Sequence, residues 1–250
     1  GLKLVGSYQT EVDLHDPPNS SVITGSTTGI EITADSAGNT IRNGTVSNNT
    51  GDGIVVDASN VAPSDNLITD IDVLDNAKTG IVLRGGAGTL VTDCTIARNN
   101  SGIDQDGYGG IAVLACCASL KWNTIENNQC SGIYADEASS LEIHGNLIRE
   151  NREGIQLALT SDVTIQNNTI TENLDGLVIE EGSSPEITCN IVWNNGNATD
   201  LVVNGGYDRL EFNDVGTTNL PGLPPTNISQ DPQFKDPATD DYSLAETSPC

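Results

Sequence analysis

The chain has 250 residues, with 35 Asp and Glu against 10 Lys and Arg, and a formal charge of −25. That balance argues against nucleic acid as a partner, since phosphate binding rests on clustered Lys and Arg. It also repels anionic membranes and polyuronates unless cations bridge them, and no apolar run approaches the roughly 20 residues that cross a bilayer.

The chain opens at Gly1-Leu2-Lys3-Leu4-Val5, already in strand-like alternation, and contains no Met. It reads as a mature or excised segment without a secretory leader. A first unit, Gly-apolar-x-apolar, appears at Gly29-Ile30-Glu31-Ile32 and recurs from Gly53, Gly80, Gly110, Gly132, Gly154 and Gly176, with a degenerate copy at Asp200. A second unit, apolar-x4-apolar-x2-Asn, alternates with it as Ile41/Val46/Asn49, Ile68/Val73/Asn76, Val91/Ile96/Asn99 and Leu120/Ile125/Asn128. It continues as Ile143/Ile148/Asn151, Ile165/Ile170/Asn173 and Ile187/Val192/Asn195. The Asn-to-Asn steps are 27, 23, 29, 23, 22 and 22 residues, so insertions fall in the turns.

Apolar alternation every two residues is strand periodicity, and Gly, Asn, Asp and Ser bound each run as turn formers. A coil of 22 residues cannot bury its own apolar side chains, whereas identical coils stacked about 4.8 Å apart can. The fold class is therefore all-β, a right-handed parallel β-helix solenoid of about nine rungs of 22–29 residues. Ile30, Ile54, Ile81, Ile111, Ile133, Ile155, Leu177 and Leu201 form one inward column, and Ile148, Ile170 and Val192 belong to another. The repeated Asn suits a structural ladder, because Asn tolerates the left-handed backbone region and its amide can bond its counterpart one rung away.

Between the inward positions of the Gly-led strands stand Glu31, Val55, Val82, Ala112, Tyr134, Gln156, Val178 and Val202. A wetted strand face should be mostly polar, so Val55, Val82, Tyr134, Val178 and Val202 are expected to form an interface, covered by the 216–250 tail or by another chain. The largest break in the repeat, 100–109, carries Asp104-Gln105-Asp106-Gly107. Alternate carboxylates before a Gly are a fragment of a calcium loop, which makes Asp104 and Asp106 the candidate metal ligands and Ca2+ the candidate ion; no other cofactor is required. Seven N-x-S/T triplets begin at Asn19, Asn43, Asn48, Asn99, Asn167, Asn197 and Asn227. They permit glycosylation and, with six cysteines lacking C-x-x-C zinc spacing, favour an oxidising extracellular or cell-surface location.

From Asp214 the repeat stops, and six prolines crowd a segment that cannot form interior strands. The domains are accordingly 1–215, the β-helix, and 216–250, a Pro-rich tail packing on it. Here Ser184-Pro185-Glu186-Ile187-Thr188-Cys189-Asn190-Ile191-Val192-Trp193-Asn194-Asn195 resembles the last-rung motif of large bacterial and archaeal surface proteins with right-handed β-helix repeats. Asp231-Pro232-Gln233-Phe234-Lys235-Asp236-Pro237, followed by Ser248-Pro249-Cys250, is similar to their tail. The resemblance implies a secreted or surface β-helix of the pectate-lyase-like superfold, a disulfide between Cys189 and Cys250, and pairing of the other four cysteines within 94–130. Members of that family include surface anchors, adhesin-like proteins and polysaccharide-active modules.

Catalytic signatures are missing from the motifs. Hydrolysis of a glycosidic bond needs two carboxylates placed across it, and so many carboxylates single out no pair; Asp240-Asp241 reads as a turn. Arg84, Arg149 and Arg152 are the basic residues open to lyase chemistry, His144-Gly145 lacks the preceding Gly of pectinase-like hydrolases, and the D-P-H-E sequence of alginate epimerases is absent. The sequence reading favours a non-catalytic structural or adhesive surface module that associates with itself, with other surface proteins or with glycans. Its alternative is a polysaccharide-active or glycan-binding β-helix (lyase, hydrolase or epimerase-like); a viral or phage fibre has similar rungs.

Overall fold

In the computed structural model, the described residues are 1–4, 11–16, 19–20, 22–33, 38–58, 65–85, 88–101, 108–196 and 199–250. Each Gly-led unit is a short strand, and nine strands lie side by side in chain order in one parallel sheet. They run from Leu2–Leu4 through Ile30–Ile32, Ile54–Asp57, Ile81–Arg84, Ile111–Leu114, Ile133–Asp136, Glu153–Ala158 and Asp175–Ile179 to Leu201–Val203. The Asn-bearing units return the chain through a second sheet of sixteen strands. The result is an all-β right-handed parallel β-helix; its nine strands in the first sheet bracket about eight turns, close to the nine rungs expected. No helix among the described residues is long and apolar enough to cross a membrane.

The register puts like on like. Ile81 pairs with Ile54 below and Ile111 above, and Ile148, Ile170 and Val192 are successive partners. Every member of the column from Ile30 to Leu201 is 0% exposed. Burial of each such side chain contributes roughly 1.5–3 kcal/mol relative to exposure, so the solenoid is held by its files.

The Asn ladder is also present, with a different backbone logic from the one expected. Asn173 accepts the backbone N–H of Asn151 at 3.0 Å and its side-chain amide at 3.1 Å, then donates to Asn195 and to the Ile148 carbonyl at 3.0 Å each. The left-handed residue is the one before each rung: Asn48, Asp75, Arg98, Asn127, Glu150, Glu172 and Asn194 all have φ of 53–59°. Asn is required for its side chain, which offers two donors and two acceptors in one plane. A second ladder runs through Asn123, Asn146, Asn168, Asn190 and Asn213 at the bend within the second sheet, each donating to the next at 2.9–3.0 Å. Earlier coils carry Gly44, Ile71 and Cys94 there. In the first two of these coils hydrogen bonding continues across the bend, giving the eight-residue strands Thr40–Ser47 and Leu67–Leu74, although Asn43 and Asp70 still turn left-handed there.

The Gly file likewise owes little to turns. None of the seven leading glycines has positive φ. A Cβ on Gly154 would lie 2.6 Å from the Gly176 carbonyl oxygen and 2.9 Å from the Asn173 amide nitrogen, and the other members are confined in the same way. Glycine file and Asn ladder are therefore neighbours, each fixing how closely the other can stack.

Both ladders are terminated by polar groups. Asp200 Oδ1 accepts the backbone and side-chain N–H of Asn195, each at 2.8 Å, while Oδ2 accepts Thr217. Asn227 takes the next place in the second ladder, 2.9 Å from both donors of Asn213. Val215 donates its backbone N–H to the Ile228 carbonyl and Ile228 donates to that of Asn213, so this sheet edge is paired, not open. The chain then doubles back as an antiparallel pair, Phe234–Asp236 with Asp241–Leu244. Tyr242 donates to Glu172 at 2.7 Å, its ring lies 5.5 Å from the Arg149 guanidinium, and Arg149 holds Asp240 at 2.8 Å.

Tyr242→Phe should loosen this docking by about 1–2 kcal/mol, the scale of a hydrogen bond to a charged acceptor, read as faster proteolysis of the tail with the solenoid's unfolding midpoint little changed. Burial, reinforced by the Glu172 hydrogen bond, pushes the Tyr242 phenol up to about 12 from 10.0. The folded chain thus holds this proton to higher pH than the unfolded chain. Its contribution is complete below pH 10 and is lost as pH rises through 12, so tail cleavage should accelerate over that interval.

Candidate functional site

The expected interface residues form one file across the outside of the first sheet. Val82 is in register with Val55, Ala112 with Tyr134, and Gln156 with Val178, which pairs with Val202. Val82, Ala112 and Val178 are only 1%, 0% and 8% exposed. Tyr108 stacks on Tyr134 with centroids 4.8 Å apart and planes at 15°, and burial raises the Tyr134 phenol above its ordinary value. Tail residues Thr217 to Asn219 pair along the edge of Leu201–Val203, and the ladder contacts and Arg149 then lead the rest of the tail over the second sheet, away from this file. The chain's own tyrosines fill the middle of the face.

Asp104 and Asp106 lie outside the described residues; among the described residues no group of three or more His, Cys, Asp or Glu could hold a metal ion. Of the sequons, Asn197 and the side chain of Asn19 also lie outside them. Asn99 is a fully buried ladder rung and Asn227 is the ladder's end, so their amides are committed and these two triplets are closed in the folded chain. Asn43 donates to Asp13 at 3.1 Å, whereas Asn48 and Asn167 stand exposed at left-handed corners. No disulfide joins any of the six cysteines. Cys189 and Cys250 nevertheless line the same cleft of about 470 Å³ between the tail and the last coils. There Cys250 lies 3.0 Å from Asp214, and burial, with that carboxylate, pushes its thiol up to about 12.

The most distinctive surface feature is one the sequence reading passed over. Strands Ala118–Lys121, Ser139–His144 and Ser161–Gln166 present two polar columns outward, Ser119/Glu142/Thr164 and Lys121/His144/Gln166, in direct register. Lys121 pairs with Glu142 at 2.8 Å and holds that carboxyl below the usual carboxylate range. Ser119 donates to Glu142 at 3.2 Å and Ser140 to Asp162 at 2.8 Å, bordering a shallow groove of about 290 Å³. At the corner that ends these columns the backbone turns left-handed, and Trp122, φ 56°, stands there 57% exposed. Its indole crosses the next corner, Gly145, where any Cβ would collide with the ring, and meets His144 edge-on at 4.9 Å. Glycine thus makes a seat that holds the indole in place without burying it. The available signal was the alignment of Lys121-Trp122-Asn123 with His144-Gly145-Asn146 once the second ladder is recognised.

A family model described as "Right handed beta helix region" matches residues 60–215. No curated protein matches the chain in sequence. Among solved structures it is similar to the A-module of mannuronan C-5 epimerase AlgE4 from Azotobacter vinelandii, at 19% identity and TM-score 0.55, covering 73% of this chain and 62% of that one. It is also similar to the enzymatically active domain of tailspike protein 2 from bacteriophage CBA120, at 13% identity and TM-score 0.54, covering 97% of this chain and 41% of that one. The chain therefore spans less than two thirds of each, and these likenesses speak to the fold.

Proposed function

Since the chain belongs to the right-handed β-helix family, we propose that it is an extracellular glycan-binding module that adheres to polysaccharide through the outer face of its second sheet. The carrying observation is the exposed indole of Trp122 seated on Gly145 beside two polar columns. An indole held in place yet left in water presents a flat apolar face with a polar edge, and a sugar ring offers it an apolar C–H face while its hydroxyls reach Ser119, Glu142 and Lys121. Saccharide sites pair such a platform with a few polar groups that set orientation. One structural neighbour is named for mannuronan, a polysaccharide, which supports the ligand class. The acidic surface favours neutral polymers over uronates, for which calcium, through Asp104 and Asp106, would have to bridge like charges.

Affinity electrophoresis against neutral glucan, mannan and xylan, and against alginate with and without calcium, tests this. Retardation by a neutral polymer is expected, and Trp122→Ala should weaken it about 30-fold, the scale of a central aromatic anchor. No retardation by any polymer would end the proposal. In an oxidising setting Cys189 and Cys250 should join, each thiol losing a hydrogen to an oxidised glutathione-type disulfide. Peptide mapping without reduction reads the bond directly, and recovery of both as alkylated thiols after such treatment would exclude it.

A further inference from the structure

Trp122 is not alone on its corner. The residues that follow the in-register series Lys121, His144, Gln166, Thr188 and Glu211 are Trp122, Gly145, Asn167, Cys189 and Phe212. Each has φ between 56° and 66°, and each donates its backbone N–H to the coil above where the next corner exists. This is one straight file of left-handed corners. Phe212 is 63% exposed, so the two most exposed aromatic side chains among the described residues stand on the same file. Four coil steps of about 4.8 Å separate them, roughly 19 Å along the solenoid axis. The floor between them is low: Gly145 has no side chain, and Asn167 and Cys189 line the cleft of about 470 Å³ that runs up to Phe212, whose other wall is the tail at Leu244, Pro249 and Cys250.

We infer that the corner file is a linear track for one extended neutral polysaccharide chain, lying parallel to the solenoid axis with sugar rings on Trp122 at one end and Phe212 at the other. This rests on the glycan-binding reading and adds direction, length and a second anchor to it. Two anchors on one rigid scaffold act together only for a ligand long enough to reach both, and the second contact is then intramolecular and gains strongly over a short ligand's affinity. The Asn167 sequon and Cys189 stand in the middle of the track, so a glycan attached to the one, or a bridge from the other to Cys250, would occupy it.

The probes are β-1,4-linked gluco-, manno- and xylo-oligosaccharides graded from disaccharide to octasaccharide, titrated by calorimetry into protein made in a host without N-glycosylation and kept reduced, so that Cys189 and Cys250 are not joined. The affinity of a bound series should rise at least tenfold between short members that reach one ring and longer ones that reach both. Phe212→Ala should remove that rise, leaving long members no tighter than short ones; Trp122→Ala should weaken short and long alike. Affinity independent of length, or a Phe212→Ala protein that keeps the rise, overturns the track while leaving the Trp122 site standing. Wild-type protein that binds no member of any series overturns the glycan-binding reading and the track with it.

Discussion

Replacing Asn173 with alanine is expected to lower the unfolding free energy by about 3–5 kcal/mol, seen as a large drop in the urea midpoint. The deletion removes the acceptor for two buried donors of Asn151 and leaves Asn195 and the Ile148 carbonyl without their side-chain partner. Each stranded buried donor or acceptor costs about 1–3 kcal/mol. Asn173→Asp should recover little, because it restores the acceptor, lacks both donors and buries a charge. Asn167→Gly, at an exposed corner that glycine adopts freely, should stay within about 0.5 kcal/mol of the parent. An Asn173→Ala protein as stable as the parent would show that the ladder merely accompanies stacking.

The second large effect belongs to Gly154→Ala. The added methyl would sit 2.6 Å from the Gly176 carbonyl oxygen, 2.6 Å from Ile170 Cγ2 and 2.9 Å from the Asn173 amide. Two of these neighbours are themselves locked, one in the sheet and one in the ladder, so the coils must part. The expected loss is about 3 kcal/mol, at the upper end of over-packing costs. Gly222, which has open space around it and no positive φ, provides the control: Gly222→Ala should be neutral or slightly stabilising. Equal midpoints for the two alanine variants would refute the confinement of the file.

The inward columns were legible in the sequence because a strand side chain has only two faces, and an apolar residue recurring at every coil selects one of them. The Asn repeat was legible too, but its cause was only half visible: a left-handed corner and a hydrogen-bonding rung sit on adjacent residues, and spacing alone does not assign the roles. Glycine before each strand looks like a turn former; the obstruction it avoids lies on the next coil, some 22 residues on. The second ladder was hidden because Gly44, Ile71 and Cys94 take its place in the early coils. Trp122 was one aromatic in a list until register placed Gly145 beside it and Phe212 on its file. The tail has no period, and its docking through Tyr242 and Glu172 joins residues 70 apart. Its path over the second sheet follows from Arg149 and Asp240, a pairing that no local pattern announces.

The ends of the ladders carry one more consequence. From rung to rung the amide nitrogen donates to the oxygen of the following coil's Asn, while its own oxygen accepts from the preceding one. The small dipoles therefore add, giving the rod a head and a foot that differ electrically. At the foot, where unused N–H donors would accumulate partial positive charge, stands a carboxylate, Asp200, able to accept from both sides. A whole coil could thus be excised or duplicated in the interior with its hydrogen bonding intact, while the same operation beyond Asp200 would strand the donors it neutralises. Length is adjustable in this molecule only between its two ends.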